Sequence, residues 1–116
     1  MTRADRFVQI LRMVESENKP EAWGDNGMAC GAFQWHPSAF IAWYPQAHEF
    51  GGRERTWDWA FEMAVRKFFR AALADWPEAT DEQIGMAYHL HGYVNWSGWD
   101  DGYAQRWEAI APKIPV

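Results

Sequence analysis

The first apolar residues of the chain follow a helical spacing. Positions i, i+3, i+4 and i+7 of one face are occupied by Phe7, Ile10, Leu11 and Val14. This periodicity predicts an amphipathic helix, and Thr2 or Asp5 is suited to cap its N-terminus. The helix is expected to end between Asn18 and Pro20, because proline disfavours helical geometry in the residue before it.

The residues that follow carry turn signals instead of an apolar period. Glycines at positions 24, 27 and 31 surround Asp25-Asn26-Gly27, a sequence suited to positive backbone angles. A tight hairpin or an irregular loop is therefore expected between Ala22 and Gly31.

Proline, glycine and threonine positions delimit the next helices. Pro37 is well placed to open a short helix through Ile41, and Gly51-Gly52 marks a break after it. Thr56 is suited to cap a long helix that Pro77 ends. The broad apolar face of this central helix is formed by Trp57, Phe61, Val65, Phe68, Phe69, Ala72, Leu73 and Trp76.

Two more helices are expected in the last third of the chain. Thr80 and Gln83 have the spacing of a capping box, which predicts a helix, and a Trp/Gly/Asp-rich loop follows at residues 92–100. Asp100 or Asp101 is suited to cap the last helix. The first of these helices carries Ile84, Ala87, Tyr88 and His91. In the second, the inward-facing residues are Tyr103, Trp107 and Ile110.

These elements predict a mainly α-helical fold with a short hairpin or turn-rich insertion after the first helix. The chain has 116 residues, 48% of them hydrophobic, which suits one domain with a single core over residues 1–116. Its single cysteine, Cys30, excludes an internal disulfide and is interpreted as a small buried hydrophobe.

Charge and hydropathy narrow the classes of partner. The net charge is −5 with acids and bases interspersed, which argues against nucleic acid as a partner, since phosphates require a basic face. No apolar run approaches the ~20 residues that span a bilayer, so no membrane partner is expected. The charged N-terminal segment lacks the apolar stretch of a secretory signal, so synthesis as a soluble cytoplasmic chain is expected.

A carboxyl group stands where the first helix meets the glycine-rich loop. Glu15 is placed at the end of the helix, where partial burial and the negative end of the helix dipole both favour the neutral acid and raise its pKa. A glutamic acid that is protonated near neutral pH can protonate a glycosidic oxygen. Periodicity alone does not choose between Glu15 and Glu17, because the two flank the apolar stripe at nearly equal angles.

A resemblance to a known family separates the two glutamates. The stretch ESENKPEAWGDNGMACGAFQWHP, with Glu15-Ser16 at its start, a glycine-rich turn and Gly31-x-x-Gln34, resembles the signature of soluble lytic transglycosylases and goose-type lysozymes. Ala87-Tyr88 resembles the family's Ala-Tyr-Asn segment, whose tyrosine lines the active site opposite the glutamate. The resemblance implies a lysozyme-like helical domain with a glycan cleft between two lobes and assigns the catalytic acid to Glu15.

The same resemblance implies cleavage of peptidoglycan at the β-1,4 bond between N-acetylmuramic acid and N-acetylglucosamine. Asp25 has two readings: a side chain that closes the turn, or a base that positions the attacking water. A carboxyl separation of about 5 Å suits a retaining nucleophile, and roughly 6.5 to 9.5 Å suits an inverting mechanism. If Asp25 is structural, Glu15 can act alone, first as acid and then as base toward the sugar's own 6-hydroxyl group.

Five further residues are candidates for contact with the glycan. Gln34 and Tyr88 can donate hydrogen bonds to the sugar or to Glu15, although a buried, satisfied role in the core is an alternative for each. Ser16 is a candidate that can also brace the loop. The last two candidates are His36, which replaces an acid of goose-type lysozymes, and His89, which replaces the family's asparagine.

No metal or other cofactor is expected. His89 and His91 are two residues apart on a predicted helix and so face different directions, while His36 and His48 are isolated. The chain is expected to act as a monomer or as a component of a bacteriophage particle, on the cell wall after release or delivery. The alternative is a non-catalytic peptidoglycan-binding or virion structural module, which the departures from the family pattern at His36, His89 and Gly92 favour.

Overall fold

The computed structural model describes residues 1–46 and 58–116 of the chain. Within these residues the protein is compact and mainly helical, with a small two-stranded sheet, as the sequence predicts. The predicted break at Gly51-Gly52, the cap at Thr56, and residues Trp57 and His48 lie outside the described residues. The elements are α1 (Arg3–Ser16), β1 (Trp23–Gly24), β2 (Ala29–Cys30), α2 (Pro37–Trp43), α3 (Asp58–Asp75), α4 (Asp81–His91) and α5 (Asp101–Ile110).

Local side-chain chemistry sets both ends of α1. Thr2 and Asp5 together form a capping box, in which each side chain accepts a hydrogen bond from the other residue's backbone N–H. The helix ends at Ser16, before the expected stop, because Glu17 and Asn18 both adopt the left-handed conformation. Their N–H groups donate back to the carbonyls of Met13 and Arg12, which satisfies the last turn without the help of Pro20.

The insertion after α1 is a hairpin. β1 and β2 pair antiparallel, with Trp23 opposite Cys30 and Gly24 opposite Ala29. The connection is a 3-10 turn over Asp25–Gly27 in which all three residues have positive φ. A second turn brings Trp35 back to bridge with Cys30, so residues 31–34 lie folded against the hairpin.

The core lies between α1, α3, α4 and α5. Phe7 of α1 packs on Phe69 of α3 and Trp107 of α5, with ring centroids 4.5 Å and 5.8 Å apart. Gly85 of α4 lies directly beneath Trp107, and a Cβ atom there would stand 2.3 Å from the indole ring. Because Gly85 lacks a side chain, α4 and α5 approach closely enough to close the core.

Ion pairs fix the direction of α1 relative to α3. Arg12 pairs with Asp58 and Glu62, and Arg66 pairs with Asp5 at 2.9 Å and with Glu62 at 3.2 Å. The two pairs of Arg12 hold the C-terminal half of α1, which carries Glu15, against the start of α3. None of the described helices is long and apolar enough to cross a lipid bilayer.

Candidate active site

The last turn of α1 places its two glutamates in different environments. Glu17 caps the helix with a side chain that is 79% exposed, and Lys19 lies 3.7 Å from its carboxylate. Glu15 turns inward instead, and its carboxyl oxygen Oε2 is closed off from solvent. The structure thus separates two residues that periodicity leaves equivalent.

Burial dominates the electrostatics of Glu15. Loss of hydration disfavours the charged carboxylate and raises the pKa of Glu15 from 4.5 to about 7. The Tyr103 hydroxyl and the positive charge of Arg106 act in the opposite direction, and both are too weak to reverse the shift. Among the described residues, neither Oε2 of Glu15 nor the Tyr103 hydroxyl has a hydrogen-bond partner of good geometry. The Tyr103 hydroxyl thus lies close enough to lower the pKa of Glu15 but forms no hydrogen bond of good geometry with it.

Tyr88 of α4 lies beside this carboxyl group. Its hydroxyl donates a hydrogen bond of 2.5 Å to the carbonyl of Phe33, and its ring packs edge-on against Trp35 and Phe68. Burial raises the pKa of Tyr88 far above its ordinary value, and the negative charge of Glu15 raises it further. Tyr88 is thus a neutral, buried neighbour of Glu15 whose one proton is already donated.

Ser16 braces the chain that leads into the site. Its hydroxyl donates to the carbonyl of Ala32 at 2.7 Å and accepts from the backbone N–H of Lys19 at 3.0 Å. These bonds tie the end of α1 to residues 31–34. Of the two roles expected for Ser16, a brace of the loop and a contact with the glycan, this geometry is that of the brace.

A cavity of about 430 Å³ opens between the hairpin, the start of α2 and the end of α4. Its volume lies within the range of small-molecule sites. Five of the seven candidate residues line it: Asp25, Gln34, His36, Tyr88 and His89. Glu15 and Ser16 are not in its lining, and Tyr88 is the residue that both borders the cavity and neighbours Glu15.

One rim of the cavity carries an acid and a histidine in contact. Nε2 of His36, the residue at the N-terminus of α2, lies 2.9 Å from Oδ2 of Asp25, and the two side chains are 45% and 64% exposed. Asp25 has a φ of 52°, in the left-handed region. The turn thus places an exposed carboxylate at the cavity and next to the His36 imidazole.

Gln34 shapes the floor on the hairpin side. Its amide Nε2 donates to the carbonyls of Gly31 at 2.9 Å and Ala22 at 3.3 Å, so the amide is anchored and only partly buried. A Cβ atom on Gly24 would stand 2.4 Å from its Oε1, so the glycine makes room for this side chain. The Gln34 residue itself lines the cavity.

His89 connects the cavity to the space around Glu15. Its Nε2 donates to Oδ2 of Asp100 at 2.9 Å, and its ring stacks on Tyr103 with centroids 4.1 Å apart and planes 10° apart. The hydrogen bond from His89 and that from the backbone of Tyr103 lower the pKa of Asp100. The stack thus holds the phenol of Tyr103 in place beside the Glu15 carboxyl group.

Sequence reasoning assigns Tyr103 only to the core and Asp100 only to a helix cap. Both have these roles, since Tyr103 is buried and Asp100 caps α5, but both also act on site residues. The sequence contains one signal for the second role of Tyr103. A buried tyrosine hydroxyl needs a polar partner, so a tyrosine on the inner face of α5 predicts a polar group opposite it but does not identify that group. Within residues 1–46 and 58–116, no three His, Cys, Asp or Glu side chains are grouped in a way that would hold a metal ion.

No family model, curated protein or solved structure matches the chain. The case for a function therefore rests on the residues and on the geometry of the site.

Proposed function

We propose that this protein cleaves the glycan strand of peptidoglycan at the β-1,4 bond between N-acetylmuramic acid and N-acetylglucosamine, with Glu15 as the general acid in a lysozyme-like domain. One observation carries the proposal. A glutamic acid whose oxygen Oε2 is closed to solvent, with a pKa raised to about 7, lies next to Tyr88, which borders a cavity of a size suited to a sugar unit. The resemblance of the segment from Glu15 to Pro37 to lysozymes and lytic transglycosylases supplies the substrate class.

Protonated Glu15 supplies the first step of the reaction. The acid proton passes to the glycosidic oxygen, the bond to the anomeric carbon breaks, and an oxocarbenium-like transition state develops. The carboxylate that remains is then a base, either toward water or toward the sugar's 6-hydroxyl group. Because Oε2 is closed to solvent, the proposal requires that glycan binding displace the side chains between Glu15 and the cavity.

Asp25 is the second carboxylate that can take part in the reaction. Asp25 is exposed and within hydrogen-bonding distance of His36, so it can hold a water molecule at the cavity mouth as a base. If Asp25 is only structural, Glu15 acts alone, first as acid and then as base toward the sugar's 6-hydroxyl group. The product then ends in a 1,6-anhydro ring. Gln34 and His89, both in the cavity lining, are proposed to bind hydroxyl or acetamido groups of the sugar.

The test compares Glu15→Gln with Glu17→Gln, a matched change two residues away at an exposed position. We expect the wild type and Glu17→Gln to clear a peptidoglycan suspension and Glu15→Gln to lose at least ~10²-fold in rate, the range of a general acid. Mass spectrometry of the products distinguishes reducing ends from anhydro ends, which are lighter by one water. Equal clearing by Glu15→Gln would remove Glu15 from the mechanism.

A second candidate function is non-catalytic binding of peptidoglycan. The covered Oε2 of Glu15 and the occupied hydroxyl of Tyr88 favour it, because neither group is presented to the cavity. In this case neither wild type nor Glu15→Gln clears the suspension, while both sediment with it.

A further inference from the structure

A second groove lies between α4 and the loop that follows it. We call it the tryptophan groove, and its main lining residues are Trp76, Gln83, Asn95, Trp96 and Trp99. Within residues 1–46 and 58–116, it shares no lining residue with the cavity bordered by Tyr88. The groove itself is a narrow cleft of about 90 Å³, and a wider concavity of about 320 Å³ adjoins it across the pair of Trp76 and Trp96.

The apolar part of this surface consists of indole rings. Trp76 and Trp96 pack edge to face, with centroids 4.4 Å apart and planes 75° apart, which fixes both rings. Trp99 is 51% exposed at the edge of the cleft. An exposed aromatic face such as that of Trp99 suits a flat partner with C–H groups, for example one face of a pyranose ring.

The polar part consists of N–H donors. Gln83 uses its Oε1 to accept from the Thr80 backbone at 2.8 Å, which leaves the amide Nε2 as a donor. Asn95 uses its Oδ1 to accept from Ser97, which leaves its Nδ2. The indole Nε1 of Trp96 is buried and has no hydrogen-bond partner among the described residues. An unpaired buried N–H group costs free energy, which a hydrogen bond to a ligand acceptor would recover.

The charge of the surface selects the class of ligand. Among the residues that the structure describes, no side chain that lines the cleft is ionisable, and those that line the wider concavity are the acidic Asp75 and two indoles. An anionic ligand is therefore disfavoured, and a neutral ligand rich in acceptors is favoured. The narrow cleft of about 90 Å³ has room for a small substituent with a carbonyl oxygen and a methyl group, while the sugar ring itself rests on the exposed Trp99.

We propose that the tryptophan groove is a second glycan-binding site, specific for a neutral N-acetylated sugar whose acetamido group enters the cleft and whose ring stacks on Trp99. The site does not depend on the chemistry of Glu15. On a glycan polymer it adds a second point of attachment, which raises the overall affinity by increasing the effective concentration of the strand.

The test follows the indole N–H signals in a ¹H–¹⁵N NMR titration of the full chain with an N-acetylglucosamine trisaccharide. The protein carries Glu15→Gln so that the probe stays intact. We expect the Trp76, Trp96 and Trp99 signals to move together and Trp99→Ala to weaken this binding about tenfold, the effect of losing one aromatic stacking contact. Trp59→Ala removes a comparably exposed tryptophan, at 55%, outside the groove and is expected to bind as before.

A glucose trisaccharide tests the acetamido group, because it presents the same ring without that substituent. We expect it to bind at least about tenfold more weakly, since the cleft donors then lose their acceptor. Unmoved Trp99 signals, or equal binding of the two trisaccharides, would overturn the proposal. If these signals move but the wild-type protein does not cleave peptidoglycan, the result supports the second glycan-binding site. It then counts only against the role of Glu15.

Discussion

At the scale of the residue, the solvent exposure of a carboxyl group depends on the backbone conformation at the end of its helix. Glu15 and Glu17 lie on either side of Ser16, yet the oxygen Oε2 of Glu15 is closed to solvent and Glu17 forms an exposed cap. The left-handed conformation of Glu17 ends the helix and points its side chain outward. A difference of this kind depends on tertiary packing, so the periodicity of the sequence does not contain it.

Tyr103 is the residue whose change best reports on this environment. Its hydroxyl stabilises the Glu15 carboxylate and so lowers the pKa of Glu15. In Tyr103→Phe that donor is gone, and we expect the pKa of Glu15 to rise above its wild-type value of about 7.

The measurement is the pH profile of kcat/KM for peptidoglycan cleavage. The acid form of Glu15 is the active one, so activity falls as pH rises through its pKa. The alkaline limb should therefore move to higher pH in Tyr103→Phe. An unchanged or lower limb would show that the hydroxyl does not act on Glu15.

At the scale of the element, the caps and turns are the features that local sequence predicts well. The capping box of Thr80 and Gln83, the start of α2 at Pro37 and the turn at Asp25-Asn26-Gly27 all form as expected. Each depends on residues within a few positions of one another, so the chain needs no distant contact to specify it.

The close approach of α4 and α5 gives an element-scale prediction. A Cβ atom at Gly85 would lie 2.3 Å from Trp107, so Gly85→Ala must push the helices apart. We expect it to lower the free energy of unfolding by about 1–3 kcal/mol, the cost of overpacking a core, despite the better helix propensity of alanine.

Gly102→Ala in α5 is the control for this change. Its nearest contact would be Asp100 at 3.4 Å, so the substitution should be neutral or stabilising by up to about 1 kcal/mol. Urea unfolding of both variants measures the difference. Equal stabilities would mean that α4 and α5 do not pack through Gly85.

At the scale of the whole molecule, the candidate site joins parts that are far apart in sequence. Glu15 comes from the first helix and Tyr103 from the last, while Asp25 and His89 meet at one cavity from the hairpin and α4. The resemblance to lysozymes and transglycosylases names most of these residues. It does not name Tyr103 or Asp100, because their roles arise only when α5 packs against α1 and α4.

Burial of Glu15 couples its proton to the folding of the whole chain. Its pKa is about 7 in the folded protein and 4.5 in the ordinary, hydrated state, so between these values the folded state binds more protons than the unfolded state. Stability therefore decreases as pH rises through this window, by about 3 kcal/mol for a shift of this size.

Glu15→Gln isolates this contribution, since glutamine does not titrate. We expect the difference in unfolding free energy between the wild type and Glu15→Gln to change by that amount between pH 4 and pH 8, with the wild type relatively weaker at high pH. Urea titrations at both pH values provide the measurement. A difference that stays constant would show that Glu15 is hydrated in the folded protein.

The most direct test of the account is a ¹³C NMR titration of the Glu15 side-chain carboxyl group, assigned by its absence in Glu15→Gln. The account predicts a midpoint of about 7, because burial opposes the charged form. A midpoint near the ordinary value of 4.5 would contradict it, since the carboxyl group would then be ionised at neutral pH and have no proton to give to a glycosidic oxygen.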